Sequence, residues 1–139
     1  MNLRGTPFDC VIFDCDGTLV DSESLCCSLL AHELRPYGLM LDAVDALERY
    51  RGWRLVDVVE QLARQHQLRL PETFVSDFRA IELASFERLL QPINGVARAL
   101  ASIPLAKCVA SSGPLAKIER ALAVTRLAHF FEENIFSAQ

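Results

Sequence analysis

The sequence predicts an α/β protein, a parallel sheet with a bundle of helices inserted after its first strand. Three observations predict it. An apolar run from Phe8 to Phe13 stops at Asp14, Cys15, Asp16, Gly17, and a second, Leu105 to Ala110, stops at Ser111, Ser112, Gly113, Pro114. Between them, residues 22–90 repeat their apolar positions at helical spacing and carry no strand pattern. Short, nearly continuous apolar runs bounded by glycine or proline fit strands of a parallel sheet, whose two faces are both covered. The expected division is a sheet domain of residues 1–21 with 91–139, and a helical domain of residues 22–90.

Taken in order, the first strand, Phe8 to Phe13, is expected to be buried, and it delivers Asp14 and Asp16 to its carboxyl end. Open α/β sheets place their chemistry just beyond such ends. Strand positions two apart share a face, and Gly17 lets the chain turn sharply and bring its backbone close to an anion. Two carboxylates held that close need a shared proton or a cation, and a hard ion such as magnesium takes carboxylate oxygens. Asp21 and Ser22 read as the N-cap of the first helix, which carries Leu25, Cys26, Leu29, Leu30 and Leu34 and is stopped by Pro36 and Gly38. A second helix follows Asp42 with Ala43, Val44 and Leu47. The third presents Leu55, Val58, Val59, Leu62 and Ala63 as one apolar stripe. A fourth starts near Pro71 and is expected to bury Phe74, Val75, Phe78, Ile81 and Leu89. Between the second and third, Arg49, Arg51, Gly52, Trp53 and Arg54 interrupt the pattern with a basic, aromatic turn.

The sheet domain resumes at Pro92–Gly95 with a helix bearing Val96, Leu100 and Ile103, which Pro104 ends. The second strand, Leu105 to Ala110, runs into Ser111, Ser112 and Gly113 ahead of a helix with Leu115, Ile118 and Leu122. Small hydroxyl residues between a strand end and a helix start form a phosphate site, because the Ser111 hydroxyl and the N–H groups of Ser112 and Gly113 can converge on an anion. Phe130, Phe131 and Asn134–Ser137 are expected to form the third strand.

Composition narrows the function. A net charge of −4 on 139 residues argues against a nucleic-acid footprint, and no apolar run approaches the roughly 18 residues of a transmembrane helix. The amino-terminal residues, Met1 to Pro7, lack the apolar centre of a signal peptide. Five cysteines without paired metal spacing fit a reducing, cytoplasmic setting. Among them Cys15, facing away from the two aspartates, reads as a small packed hydrophobe. His32, His66 and His129 share no ligand spacing.

The ten residues Phe13 to Ser22, FDCDGTLVDS, resemble the first signature motif of the haloacid dehalogenase-like hydrolases, a superfamily dominated by magnesium-dependent phosphatases. The resemblance implies a Rossmann-like core with an inserted helical cap. It makes Asp14 the nucleophile that forms an aspartyl-phosphate and Asp16 the general acid and base, with both holding Mg2+. Gly17 and Thr18 would help position the phosphoryl group and the acid. Ser111, at the place of the family's second motif, would bind that group with Ser112 beside it. The turn at Arg51, Trp53 and Arg54 falls where cap loops read the substrate. The implied partner is a small phosphorylated metabolite, a sugar phosphate or phosphorylated sugar acid, with neither nucleic acid nor membrane involved.

Residue identities choose within the family. The dehalogenases generally lack an acid at the position of Asp16, and phosphonate-cleaving members use a cap lysine, whereas the only lysines here are Lys107 and Lys117. Members of the beta-phosphoglucomutase type carry a histidine where Cys26 stands, so hydrolysis is favoured over mutase chemistry. The resemblance reaches only two of four family motifs. A lysine motif and further acids that follow the third strand are not among these residues, and Lys117 is not expected to substitute. The chain is therefore expected to be the amino-terminal part of such an enzyme, with an open edge on its first strand that favours self-association and with little activity alone. A non-catalytic interaction module is the alternative from another class.

Overall fold

The computed structural model describes residues 8–138. Strands β1 (Cys10–Phe13), β2 (Ala106–Ser111) and β3 (Ile135–Ser137) form a parallel sheet in the order β1-β2-β3. The helices are α1 (Ser22–Glu33), α2 (Ala43–Tyr50), α3 (Leu55–His66), α4 (Phe74–Leu89), α5 (Val96–Ser102) and α6 (Leu115–Val124), with 3-10 turns at Arg35–Tyr37 and Ala128–Phe130. Parallel neighbours need long crossovers, which the stretch from α1 to α5 and then α6 provide. Among the described residues no helix is long and apolar enough to cross a membrane.

The chain divides into two compact units, Met1–Ser22 with Phe86–Gln139, and Glu23–Ser85. The second division falls between Ser85 and Phe86, inside α4.

In the sheet unit, register places Phe13 beside Val109 and Val109 beside Ile135. That face is covered: Val109, Leu100 of α5, and Ile118, Ala121 and Leu122 of α6 are all buried. Phe13 meets buried Phe131 edge to face at 5.9 Å. Phe131 follows a 3-10 turn rather than opening the third strand, which is confined to Ile135–Ser137. The opposite face departs further from expectation. Phe8 is 65% exposed, Ile12 68% and Phe136 56%, so the first strand is an edge strand covered on one face only. α6 packs along β3 and serves the covered side.

In the helical unit, Leu30, Leu34, Leu39, Tyr50, Val58, Val59, Leu62, Phe74 and Phe78 make one core. Asp42 caps α2, its carboxylate accepting from the N–H groups of Val44 and Asp45 at 2.9 and 3.0 Å. Phe74 and Phe78 of α4 are buried as expected and Val75 packs against the same core, but the rest of the helix departs from the expected stripe. Ile81 and Leu89 are exposed, while Glu82 and Phe86 are buried.

Candidate active site

Asp14 leaves β1 at the surface, its Oδ1 accepting only from the adjoining Cys15 N–H at 2.7 Å among the hydrogen bonds described. The turn after it is tied from inside. The Cys15 carbonyl accepts from the N–H groups of Thr18, Leu19 and Val20, and the Gly17 N–H donates to the Val20 carbonyl at 2.9 Å. Gly17 takes a φ of 70°, a left-handed conformation that glycine adopts without strain. Cys15, Leu19 and Val20 are buried anchors, so Asp14, Gly17 and Thr18 stay exposed on a fixed loop.

Asp16 is where other elements converge. The Ser22 hydroxyl donates to its Oδ1, and Lys117 Nζ lies 3.3 Å from the same oxygen. A Cβ built on Gly113 would stand 3.6 Å from both Asp16 Oδ2 and Ser111 Oγ, which places the Ser111–Gly113 turn beside the carboxylate. Ser111 is buried, Ser112 is exposed, and the Gly113 N–H donates to Ser111 Oγ at 3.2 Å. That N–H therefore braces the serine and is not aimed outward at an anion. From β3, the Ser137 hydroxyl donates to the Gly113 carbonyl at 2.6 Å and the Ala138 N–H to the Ser111 carbonyl at 3.0 Å.

Two members of this cluster were not expected. Ser22 is more than a helix-start residue, since its hydroxyl is committed to Asp16. Lys117, set aside from the sequence, occupies the first turn of α6, and helical side chains lean back toward the amino-terminal end. A lysine at this place reaches the loop that precedes its own helix, a signal available once α6 is known to start at Leu115.

Cys15 sits among these charges as a neutral thiol. Burial, then the charge of Asp16, push its pKa up to about 12 despite the opposing effect of Lys117, which bars it from acting as a thiolate nucleophile. The unfolded thiol ionises near 9.0, so the folded state holds one extra proton between the two values. The contribution of Cys15 to stability is therefore full below about pH 9 and is expected to be lost progressively as pH rises from there toward 12. Denaturant titrations at alkaline pH check this, and Cys15→Ala should flatten the decline.

The residues of the basic turn belong to the helical unit. Arg54 is held by Asp57 through two hydrogen bonds of 2.7 and 2.8 Å. Trp53 is about half exposed and stands edge-on to Tyr50 at 5.5 Å. Gly52 is anchored by its N–H to the Glu23 carboxylate at 3.0 Å, and Arg51 is exposed.

Among the described residues no three or more His, Cys, Asp or Glu side chains gather as a metal site. Magnesium is commonly held by one or two carboxylates, its remaining positions going to water and substrate phosphate. Asp14 and Asp16 fit that donor chemistry as two hard oxygen ligands.

With this geometry in place, the family model of the haloacid dehalogenase-like hydrolases matches residues 11–139. The chain belongs to the haloacid dehalogenase-like hydrolases. The 6-phosphogluconate phosphatase of Escherichia coli K12 is 31% identical over 130 residues, which cover 93% of this chain and 59% of the relative. A haloacid dehalogenase-like protein from Agrobacterium tumefaciens superposes with a TM-score of 0.84 at 27% identity, covering 94% of this chain and 59% of that one. A hydrolase of the same superfamily from Deinococcus radiodurans, solved with phosphate and sodium bound, gives a TM-score of 0.72 at 29% identity, covering 94% and 58%. The chain thus spans under two thirds of each relative's length.

Proposed function

We propose that this chain carries the nucleophile and acid of a magnesium-dependent phosphatase acting on a small phosphorylated sugar or sugar acid. The observation that supports it best is the cluster on Asp16, where Ser22, Lys117 and the Ser111–Gly113 turn meet beside exposed Asp14. The names of the Escherichia coli relative and of the phosphate-bound Deinococcus structure point the same way.

In the proposed reaction an oxygen of Asp14 attacks phosphorus, the bond to the sugar oxygen breaks, and Asp16 gives that oxygen its proton. The resulting aspartyl-phosphate is cleaved by a water from which Asp16 takes a proton, restoring both carboxyl groups. Ser111 binds the phosphoryl group, with Ser112, Gly17 and Thr18 bordering it. Ser22 fixes the rotamer of Asp16, and Lys117 sets a positive charge where phosphate charge accumulates, the dominant need in phosphoryl transfer. Asp14 and Asp16 would hold magnesium, which when bound offsets the negative charge of the phosphoryl oxygens. The helical unit is assigned the cap role, and the cysteines, none of them in a disulfide, fit a cytoplasmic enzyme.

The test is chemical trapping. Incubation with acetyl phosphate and magnesium followed by borohydride should reduce an acyl phosphate at position 14 to homoserine, detected by peptide mass spectrometry. Label at another residue, or none while phosphate is released, overturns the reading. A panel of sugar phosphates and phosphorylated sugar acids then ranks substrates. Lys117→Met should weaken inorganic phosphate binding by about tenfold or more, the cost of one charged hydrogen bond, measured by titration calorimetry.

For the basic turn we propose a part in substrate choice. Arg54→Ala is expected to raise KM several-fold for the preferred sugar substrate and little for p-nitrophenyl phosphate. Equal effects on both would make Arg54 solely the partner of Asp57.

A further inference from the structure

Helix α1 opens on two consecutive residues whose side chains both reach outside the helix. The Ser22 hydroxyl donates to Asp16, and the Glu23 carboxylate accepts from the Gly52 N–H at 3.0 Å. The first bond braces the proposed acid. The second reaches 29 residues along the chain, into the basic turn between α2 and α3.

Tyr50 to Trp53 form a type II turn. Arg51 has φ −52° and ψ 129°, Gly52 has φ 77°, and the Trp53 N–H donates to the Tyr50 carbonyl at 2.9 Å. The Arg51 N–H is committed to the Leu47 carbonyl at 3.1 Å. In such a turn the amide between the two central residues faces outward, so the Gly52 N–H has no acceptor within the turn. Glu23 supplies one from another helix. The other ties are local: Arg54 to Asp57 of α3, and Trp53 against Tyr50 of α2. Packing does not hold Gly52 in place. A Cβ built there would meet no described atom within 4 Å outside its chain neighbours, and Arg51 to Arg54 are all exposed, whereas Glu23 is half-buried.

We infer that Glu23 is a positioning residue for substrate choice: by holding the Gly52 N–H it fixes the turn that presents Arg51, Trp53 and Arg54. Glu23 has this part on the reading, proposed above, that the turn discriminates among phosphorylated substrates. The competing role is that of a first-turn acid at the positive end of α1, which needs the charge. Holding Gly52 needs only an acceptor oxygen, which glutamine keeps.

Trp53 is the only tryptophan of the chain, so its emission reports on the turn itself. In this chain, Glu23→Ala and Glu23→Gln are compared with the parent by acrylamide quenching of Trp53 and by amide hydrogen exchange at Gly52. In the protein carried to the full length of its relatives, KM is measured for the preferred sugar substrate and for p-nitrophenyl phosphate. Glu23→Ala should quench more readily, exchange the Gly52 amide several-fold faster and lose several-fold in KM selectivity for the sugar substrate. Glu23→Gln should keep the parent's values. Glu23→Ser, too short to reach Gly52, stands in should the alanine variant fail to fold. Equal defects in the alanine and glutamine variants assign Glu23 to the helix end and overturn the proposal, as does an unchanged Gly52 exchange rate in Glu23→Ala. Arg54→Ala, measured alongside, separates the failures. If it loses selectivity and Glu23→Ala does not, Glu23 lacks the role; if neither does, the reading of the turn has failed and the role of Glu23 with it.

Discussion

On the proposed mechanism, and in the protein carried to the full length of its relatives, Asp14→Asn is expected to leave a folded protein that releases phosphate at least on the order of a thousandfold more slowly than the parent, as when a covalent nucleophile is removed elsewhere. The side chain is exposed and its described hydrogen bond is with the Cys15 N–H. An asparagine carbonyl accepts that bond as well, so the change is confined to nucleophilicity. Asp16→Asn is expected to stop turnover differently. Its amide oxygen can still accept from Ser22, but in the proposed reaction it has no proton to give to the leaving oxygen and takes none from water. This variant should therefore still take a phosphoryl group from acetyl phosphate, whose leaving group needs no acid, and keep it. Borohydride trapping together with phosphate release separates the two variants. Unchanged turnover in Asp14→Asn would remove that residue from the mechanism.

The division between what was legible and what was not follows the range of the interactions. Asp14, Asp16 and Gly17 were readable because their arrangement is local, fixed by strand alternation and one left-handed glycine. Ser111 was readable for the same reason, a strand end meeting a helix start. Lys117 was not, since its place beside Asp16 depends on α6 returning to the same end of the sheet as β1. The outward role given to the Gly113 N–H failed because it overlooked a nearer acceptor, the hydroxyl two residues back. Phe74 and Phe78 were read correctly as buried on α4, and Ile81 and Leu89 were misread for a geometric reason. Phe74, Phe78, Glu82 and Phe86 are buried at every fourth position, and the apolar Ile81 pulled the expected stripe off that row. The run Phe8 to Phe13 has the composition of a strand covered on both sides, and here it is covered on one. In that case the composition reports a strand suited to burial on both faces, while the described residues cover one.

The buried row of α4 supplies the prediction with the largest effect on stability. Phe78 is 1% exposed and stacks on Phe74 at 6.4 Å. Phe74 in turn meets Tyr37 edge to face at 5.7 Å, so the rings join α4 to the 3-10 turn that ends the α1 segment. Phe78→Ala removes the ring at the inner end of this chain and leaves a cavity in the core to which Leu30 and Leu62 also belong. Such truncations cost about 3–5 kcal/mol, a large part of the roughly 5–15 kcal/mol that holds a domain together. Ile81→Ala deletes an apolar side chain from the same helix only three residues later. At 36% exposed, with room for the surface to relax, it is expected to cost less than about 1 kcal/mol. Urea denaturation followed by far-UV circular dichroism compares the two directly. Equal losses would mean that Ile81 is packed as the sequence first suggested and that the four-residue row is not the buried one. A large loss at Phe78 alone would establish that row as the buried side of α4 and Phe78 as a core residue of the helical unit.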